Sequence, residues 1–105
     1  MSLRRRYEVL LPLQFNDGRE VPAPLMWETI EELEKQFGAL SWESQTVRGF
    51  WQHEGTAFRD NNTRLVVDVE DTLENRAFFA AFKQTLKNRF QQVDIWVTSH
   101  AIDVL

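Results

Sequence analysis

The sequence predicts a single α+β domain of order β-α-β-β-α-β, and three observations carry that prediction. Tyr7, Val9, Leu11, Leu13 and Phe15 recur at every second position, the period of a strand with one apolar face. Met26, Ile30, Leu33 and Phe37, and later Phe78, Phe79, Phe82, Leu86 and Phe90, recur at the spacing of one face of a helix. Between the helical stretches, two runs of β-formers flank Glu54-Gly55, a dipeptide suited to a tight hairpin turn. The chain has 105 residues, 43% hydrophobic and 27% charged, enough for one core and one domain over residues 1–105.

Each element follows from local chemistry. The first strand spans Tyr7 to Phe15, with Pro12 expected to bulge its later half because proline cannot donate to a ladder. Asn16-Asp17-Gly18 marks a turn. Pro22-Ala23-Pro24 starts the first helix, where amide hydrogens lack partners anyway, and Gly38 stops it. Trp27 flanks its apolar stripe, and Glu28, Glu31, Glu32 and Glu34 lie outside it. The long hairpin begins at Ala39. A turn centred on Glu54-Gly55 pairs residues whose numbers sum to 109, which sets Trp42 opposite Val67 and Leu40 opposite Val69. Leu40, Trp42, Leu65, Val67 and Val69 then share the core face, while Glu43, Val66 and Asp68 face away; Gly49 and Asn61-Asn62 are the expected bulges. Asp71 and Glu74 have the spacing of a capping box that opens the second helix, which is basic where the first is acidic. The last strand is read from Val93 to Thr98, with Val93, Ile95 and Val97 inward.

Right-handed crossovers place these strands in the order 4-1-3-2 in one antiparallel sheet, with both helices on one face and the other face open. The whole chain thereby resembles the ferredoxin-like superfold, and at fold level the small bacterial proteins whose open faces pair as dimeric α/β barrels. The Asn16-Asp17-Gly18 turn, the Gly49-x-Trp51 segment and the Phe-rich second helix ending near Phe90-Gln91 are also similar to a family of small bacterial proteins of uncharacterised function. Those motifs are structural and imply no catalytic residue.

Composition excludes several functions. A net charge of −4 argues against a nucleic-acid binder, because phosphate recognition relies on clustered Lys and Arg. With no cysteine there are no disulfides, thiolate nucleophiles or cysteine-held metals. No apolar run approaches the roughly 18 residues of a membrane span, and a cytoplasmic location is the expectation. Neither a Gly-x-Gly-x-x-Gly nor a Walker sequence offers a phosphate loop, and no cofactor is implied. His53 and Glu54 at the hairpin tip have no partner at metal-ligand spacing.

Two groups of residues remain as candidates. In the 4-1-3-2 order the start of the first strand lies beside the ends of the third and fourth, which brings Arg6, Glu8, Asp68, Glu70, Thr98 and His100 to one end of the open face. His100, Glu8, Asp68 and Arg6 are the catalytic candidates, since clustered carboxylates raise one another's pKa and histidine titrates near neutrality. Asp68, Glu70 and Glu8 are the candidate metal ligands. Alternation also produces such polar rows in any antiparallel sheet, with Arg6 there simply to neutralise carboxylates.

The second group is apolar. Phe50, Trp51 and Phe58 sit on a hairpin that the pairing carries beyond the sheet, and Leu10, Val66 and Trp96 point to the open face. Either the arm folds over its own domain or these six residues form an interface. The alternating tail Ala101-Ile102-Asp103-Val104-Leu105 is expected to extend an edge across such an interface. Together these features predict a homodimeric binding or interaction module without catalysis, open to a small-molecule ligand. A dimeric barrel enzyme acting on a small organic substrate is the first alternative, and a metal-dependent nuclease the second.

Overall fold

The computed structural model describes residues 3–105. Its elements run β1 (Leu3–Pro12), α1 (Ala23–Phe37), β2 (Ser41–His53), β3 (Thr56–Glu70), α2 (Leu73–Arg89) and β4 (Val97–Asp103). The sheet is antiparallel in the order β2-β3-β1-β4, which is the expected 4-1-3-2 read from the other edge, and the fold is ferredoxin-like. Tyr7, Val9 and Leu11 of β1 and Leu65, Val67 and Val69 of β3 are buried beneath Met26 and Leu33 of α1 and Phe79, Phe82 and Leu86 of α2. Phe79 ties three elements together: its ring stacks on Tyr7 at 3.9 Å and on Phe37 at 5.3 Å between centroids.

The helices begin and end for identifiable reasons. Pro22 and Pro24 open α1, and Gly38 closes it in the left-handed region at φ 85°, its N–H donating to the Glu34 carbonyl. The acidic and basic helices meet as charge complementarity predicts. Arg89 of α2, largely buried, donates to Glu32 at 2.6 Å and to the Thr29 hydroxyl at 2.9 Å on α1.

Asp71 does not cap α2. Thr72 is the N-cap, its hydroxyl accepting from the Asn75 N–H at 3.1 Å, while Asp71 turns to Arg5. Both residue types cap well, and the cross-sheet guanidinium decides between them. Thr72→Ala is expected to cost about 1 kcal/mol in urea denaturation, the usual loss at an N-cap.

Several strand expectations are corrected. β1 starts at Leu3 and ends at Pro12, which does not bulge. Even-numbered amides of β1 face β4, as when Leu10 N–H donates to the Trp96 carbonyl, and Pro12 lies past the end of β4, where no acceptor waits. The 109 register holds for the outer hairpin, Val47 opposite Asn62 through His53 opposite Thr56, with Glu54 and Gly55 at positive φ in the turn. Gly49 and Asn61-Asn62 therefore pair regularly, and the bulge lies between Glu43 and Val47.

Below the bulge, Trp42 opposes Leu65 rather than Val67. A slip of two residues keeps Trp42 on the helix side, yet as part of an edge strand it is 43% exposed. Its indole packs edge-on to Trp27 and donates to the Thr63 hydroxyl, which in turn donates to the Glu43 carbonyl at 2.8 Å. The buried Thr63 thus satisfies the backbone that the bulge releases.

The final strand lies four residues later than expected. Residues 93–96 form a connection in which Ile95 is buried but Val93 is exposed. β4 pairs along β1 from Val97 opposite Val9 to Asp103 opposite Leu3. Ala101, Ile102 and Asp103 therefore belong to β4, an outer strand of the sheet that pairs with β1 along one side.

Candidate ligand cavity and open sheet face

No helix covers the even-numbered side of β1 and β3. At one end of that face, Arg6 stands between Asp68 on β3 and His100 on β4, and Glu8 stands between Val66 and Thr98. Arg6, Asp68 and His100 thus share one row and Glu8 and Thr98 the next, while Glu70 lies in a third. The group's internal bonding is that of an ion network: Arg6 grips both oxygens of Asp68, at 2.8 and 3.0 Å, and Arg64 reaches Glu8 at 3.5 Å and Glu43 at 3.0 Å. Glu70 pairs across the ladder with Arg4 and is exposed, as is His100. Among the described residues no three His, Asp or Glu side chains converge to hold a metal ion.

The same guanidinium sets the charge of Asp68. Hydrogen bonding from Arg6 holds its carboxyl below the usual carboxylate range, against a smaller opposing push from burial. On the helix side, hydrogen bonding from Arg5 likewise lowers Asp71. Groups whose pKa is depressed in the folded chain take up protons more readily when unfolded. The stability they confer is complete above the unfolded pKa of about 4 and is lost as pH falls through the folded values. Melting temperature is therefore expected to decline with acidification below pH of about 4, and Asp68→Asn should flatten that decline.

A second feature lies farther along the same face. Where the hairpin arm leaves the sheet, a cavity of about 330 Å³ opens between the arm and the connection before β4. Leu10 and Pro12 of β1 contribute apolar surface, and Trp51 and Trp96 border it from the arm and the connection. Polar groups enter from Asp60 and Asn62 on β3 and from Gln92 and Asp94 on the connection.

Local chemistry holds each wall. Trp51 and Phe58, opposite one another in the ladder, stack at 4.3 Å, and the Trp51 indole N–H donates to Asp60. Gly49 faces Asp60 in the register, and a Cβ there would come within 3.1 Å of the Asn62 amide nitrogen. That amide donates instead to the Val47 carbonyl. The connection is pinned by buried Phe90 and Ile95, and Asp94 accepts from the Ile95 N–H at 2.9 Å while pairing with Lys83 of α2 at 3.1 Å. With Ile95 inward, Trp96 is turned out and left 63% exposed.

Of the six residues expected at an interface, Leu10, Phe50, Trp51 and Trp96 border this cavity. Phe58 backs Trp51, and Val66 lies in the row of Glu8. The arm's aromatics are only partly satisfied within the chain, since Phe50 remains 71% exposed. Asp60, Asn62, Gln92 and Asp94 were not anticipated. The first two were legible in the 109 register, which sets Gly49 against Asp60 and Val47 against Asn62. Gln92 and Asp94 had no such signal, because the connection reads as strand.

No family model matches the sequence, and no curated protein matches it. Among solved structures the chain is similar to a phage SAM lyase in complex with S-methyl-5'-thioadenosine, at 15% identity and TM-score 0.66 over 96% of this chain and 90% of that one. It is similar also to CutA1 from Oryza sativa, at 10% identity and TM-score 0.65 over 98% and 83% of the two chains. CutA1 from Pyrococcus horikoshii OT3 carrying D60A matches at 12% identity and TM-score 0.61 over 96% and 85%. The likeness is one of fold. At these identities it transfers no residue role. No helix among the described residues is long and apolar enough to cross a membrane.

Proposed function

We propose that the chain is a small self-associating binding module. It pairs as a homodimer through its uncovered face and takes a small organic ligand in the cavity at the base of the arm, without performing chemistry on it. The observation that carries this reading is the cavity itself. Its volume of about 330 Å³ lies in the range of small-molecule sites, and its apolar walls with a few converging polar groups have the usual composition of one. Self-association draws support from Leu10, Val66 and Trp96, apolar groups on a face that no helix covers. A two-fold pair would bury that face against itself. Asp68 pairs with Arg6, and Glu8 and Glu43 share Arg64, so each of these carboxylates has a basic partner on burial although the group keeps one net negative charge.

Sedimentation equilibrium at micromolar loading tests the first half: a species of twice the 12.4 kDa chain mass is expected, and 12.4 kDa at every loading would refute it. Thermal shift against a metabolite panel that includes S-methyl-5'-thioadenosine and SAM tests the second. A ligand of the native state at about 100 times its Kd should stabilise by about 2.7 kcal/mol. A blank panel would count against the ligand site.

The likeness to a SAM lyase over 96% of the chain favours one alternative, an enzyme acting on a small organic substrate with His100, Glu8, Asp68 and Arg6 as its site. Asp68, fixed as a carboxylate by Arg6, would serve there as an anion and not as a proton donor. Consumption of SAM that Asp68→Asn abolishes would establish this alternative and displace the first.

A further inference from the structure

We infer that the cavity beside the arm selects an organic cation, such as a quaternary ammonium or sulfonium group, over neutral or anionic molecules of the same shape. The inference rests on the proposed ligand site and adds the charge of its occupant. Three features of the walls support it. First, no Lys or Arg borders the cavity, so no cationic side chain there would hold a phosphate or carboxylate. Second, the charged groups that do border it are Asp60 and Asp94. Asp94 is partly neutralised by Lys83. Asp60 is half-buried, accepts only the neutral Trp51 indole N–H among the described hydrogen bonds, and forms none of the described ion pairs.

Third, the remaining walls include two indoles, whose electron-rich faces attract cations most strongly among aromatic rings. Phe58 stacks on one face of Trp51 and His53 stands tilted beside it at 6.4 Å between centroids, yet of the three only Trp51 borders the cavity. A carboxylate held by an indole N–H beside a second indole suits a cation whose charge is spread over methyl or methylene groups. Such a cation gives up little hydration on entering an apolar site. A phosphate-bearing nucleotide would meet two carboxylates and no compensating cation from the walls.

Choline and 3,3-dimethylbutan-1-ol, which share a shape but differ in charge, separate the possibilities when titrated into the full chain and followed by the indole N–H signals of its four tryptophans. Choline is expected to move the Trp51 and Trp96 signals, leave those of Trp27 and Trp42 on the helix side, and bind about tenfold or more tightly than the alcohol. Asp60→Asn should abolish that preference. Should it fail to fold, Trp96→Leu, altered at an exposed side chain, should weaken choline binding by a similar factor. Equal binding of the two probes would overturn the cation inference while leaving the ligand site intact. No movement of either tryptophan with either probe at the limit of solubility would overturn the cation inference, and the metabolite panel would then decide the ligand half of the proposed function on its own.

Discussion

Phe79→Ala should remove a large share of the domain's stability. The ring is 2% exposed, stacks on Tyr7 at 3.9 Å and on Phe37 at 5.3 Å, and meets Phe78 edge-on, so it joins β1, α1 and α2 at a single point. Removing a buried phenylalanine costs about 3–5 kcal/mol, from lost transfer energy and the cavity left behind. A domain of this size has about 5–15 kcal/mol in all. Relaxation offers little relief, because collapse toward the void from one element would unstack that element's partners on the other two. Urea denaturation should show the midpoint falling by at least about a fifth, with an unchanged slope if the native state remains compact. A loss below about 1 kcal/mol would mean that the three-way aromatic contact does not organise the core.

The layout of the core was legible because its signals are periodic. Val67 and Val69 alternate with Val66 and Asp68, Phe79, Phe82 and Leu86 keep helical spacing, and all five of those apolar positions other than Val66 are buried as that pattern requires. Legibility failed where periodicity lapses. Ser44-Gln45-Thr46 offers no alternation, so nothing in that run discloses the bulge that moves Trp42 from Val67 to Leu65. The face survives a two-residue slip, but burial does not, since a side chain at a sheet edge depends on what a helix happens to cover. The opposite failure occurs at Val93-Asp94-Ile95-Trp96, where alternation exists without a strand. One buried residue, Ile95, is enough to fix an extended connection, and extended backbone alternates whether or not it is paired. β4 runs instead from Val97 to Asp103, and its middle, Ser99-His100-Ala101, pairs with β1 although its side chains carry no apolar alternation. The candidate site divides along the same line: its aromatics were readable as unburied apolar groups, whereas Gln92 and Asp94 reach the cavity only because that connection is not a strand.

Trp96→Glu is expected to separate a dimer into folded monomers. The side chain is 63% exposed within one chain, so its replacement removes little intrachain packing, and the backbone bond from Leu10 N–H to its carbonyl is retained. At the centre of an interface a tryptophan is commonly worth about 2 kcal/mol or more, which is roughly a thirtyfold rise in dissociation constant. A glutamate adds a further cost, because the surrounding face already carries Asp60 and Asp94 near the cavity and a new carboxylate would be buried without a described basic partner there. Trp51→Glu makes the complementary test on the arm. It breaks the stack on Phe58 and places a carboxylate beside Asp60, so it should loosen the arm while leaving the covered core intact. If the open sheet face is the contact, sedimentation will return 12.4 kDa for Trp96→Glu and the dimer for Trp51→Glu; if the arm grips the partner, the two results exchange. A dimer that withstands both substitutions would place the contact elsewhere, and the exposed edge of β2, unpaired along its outer side, would be the next surface to probe.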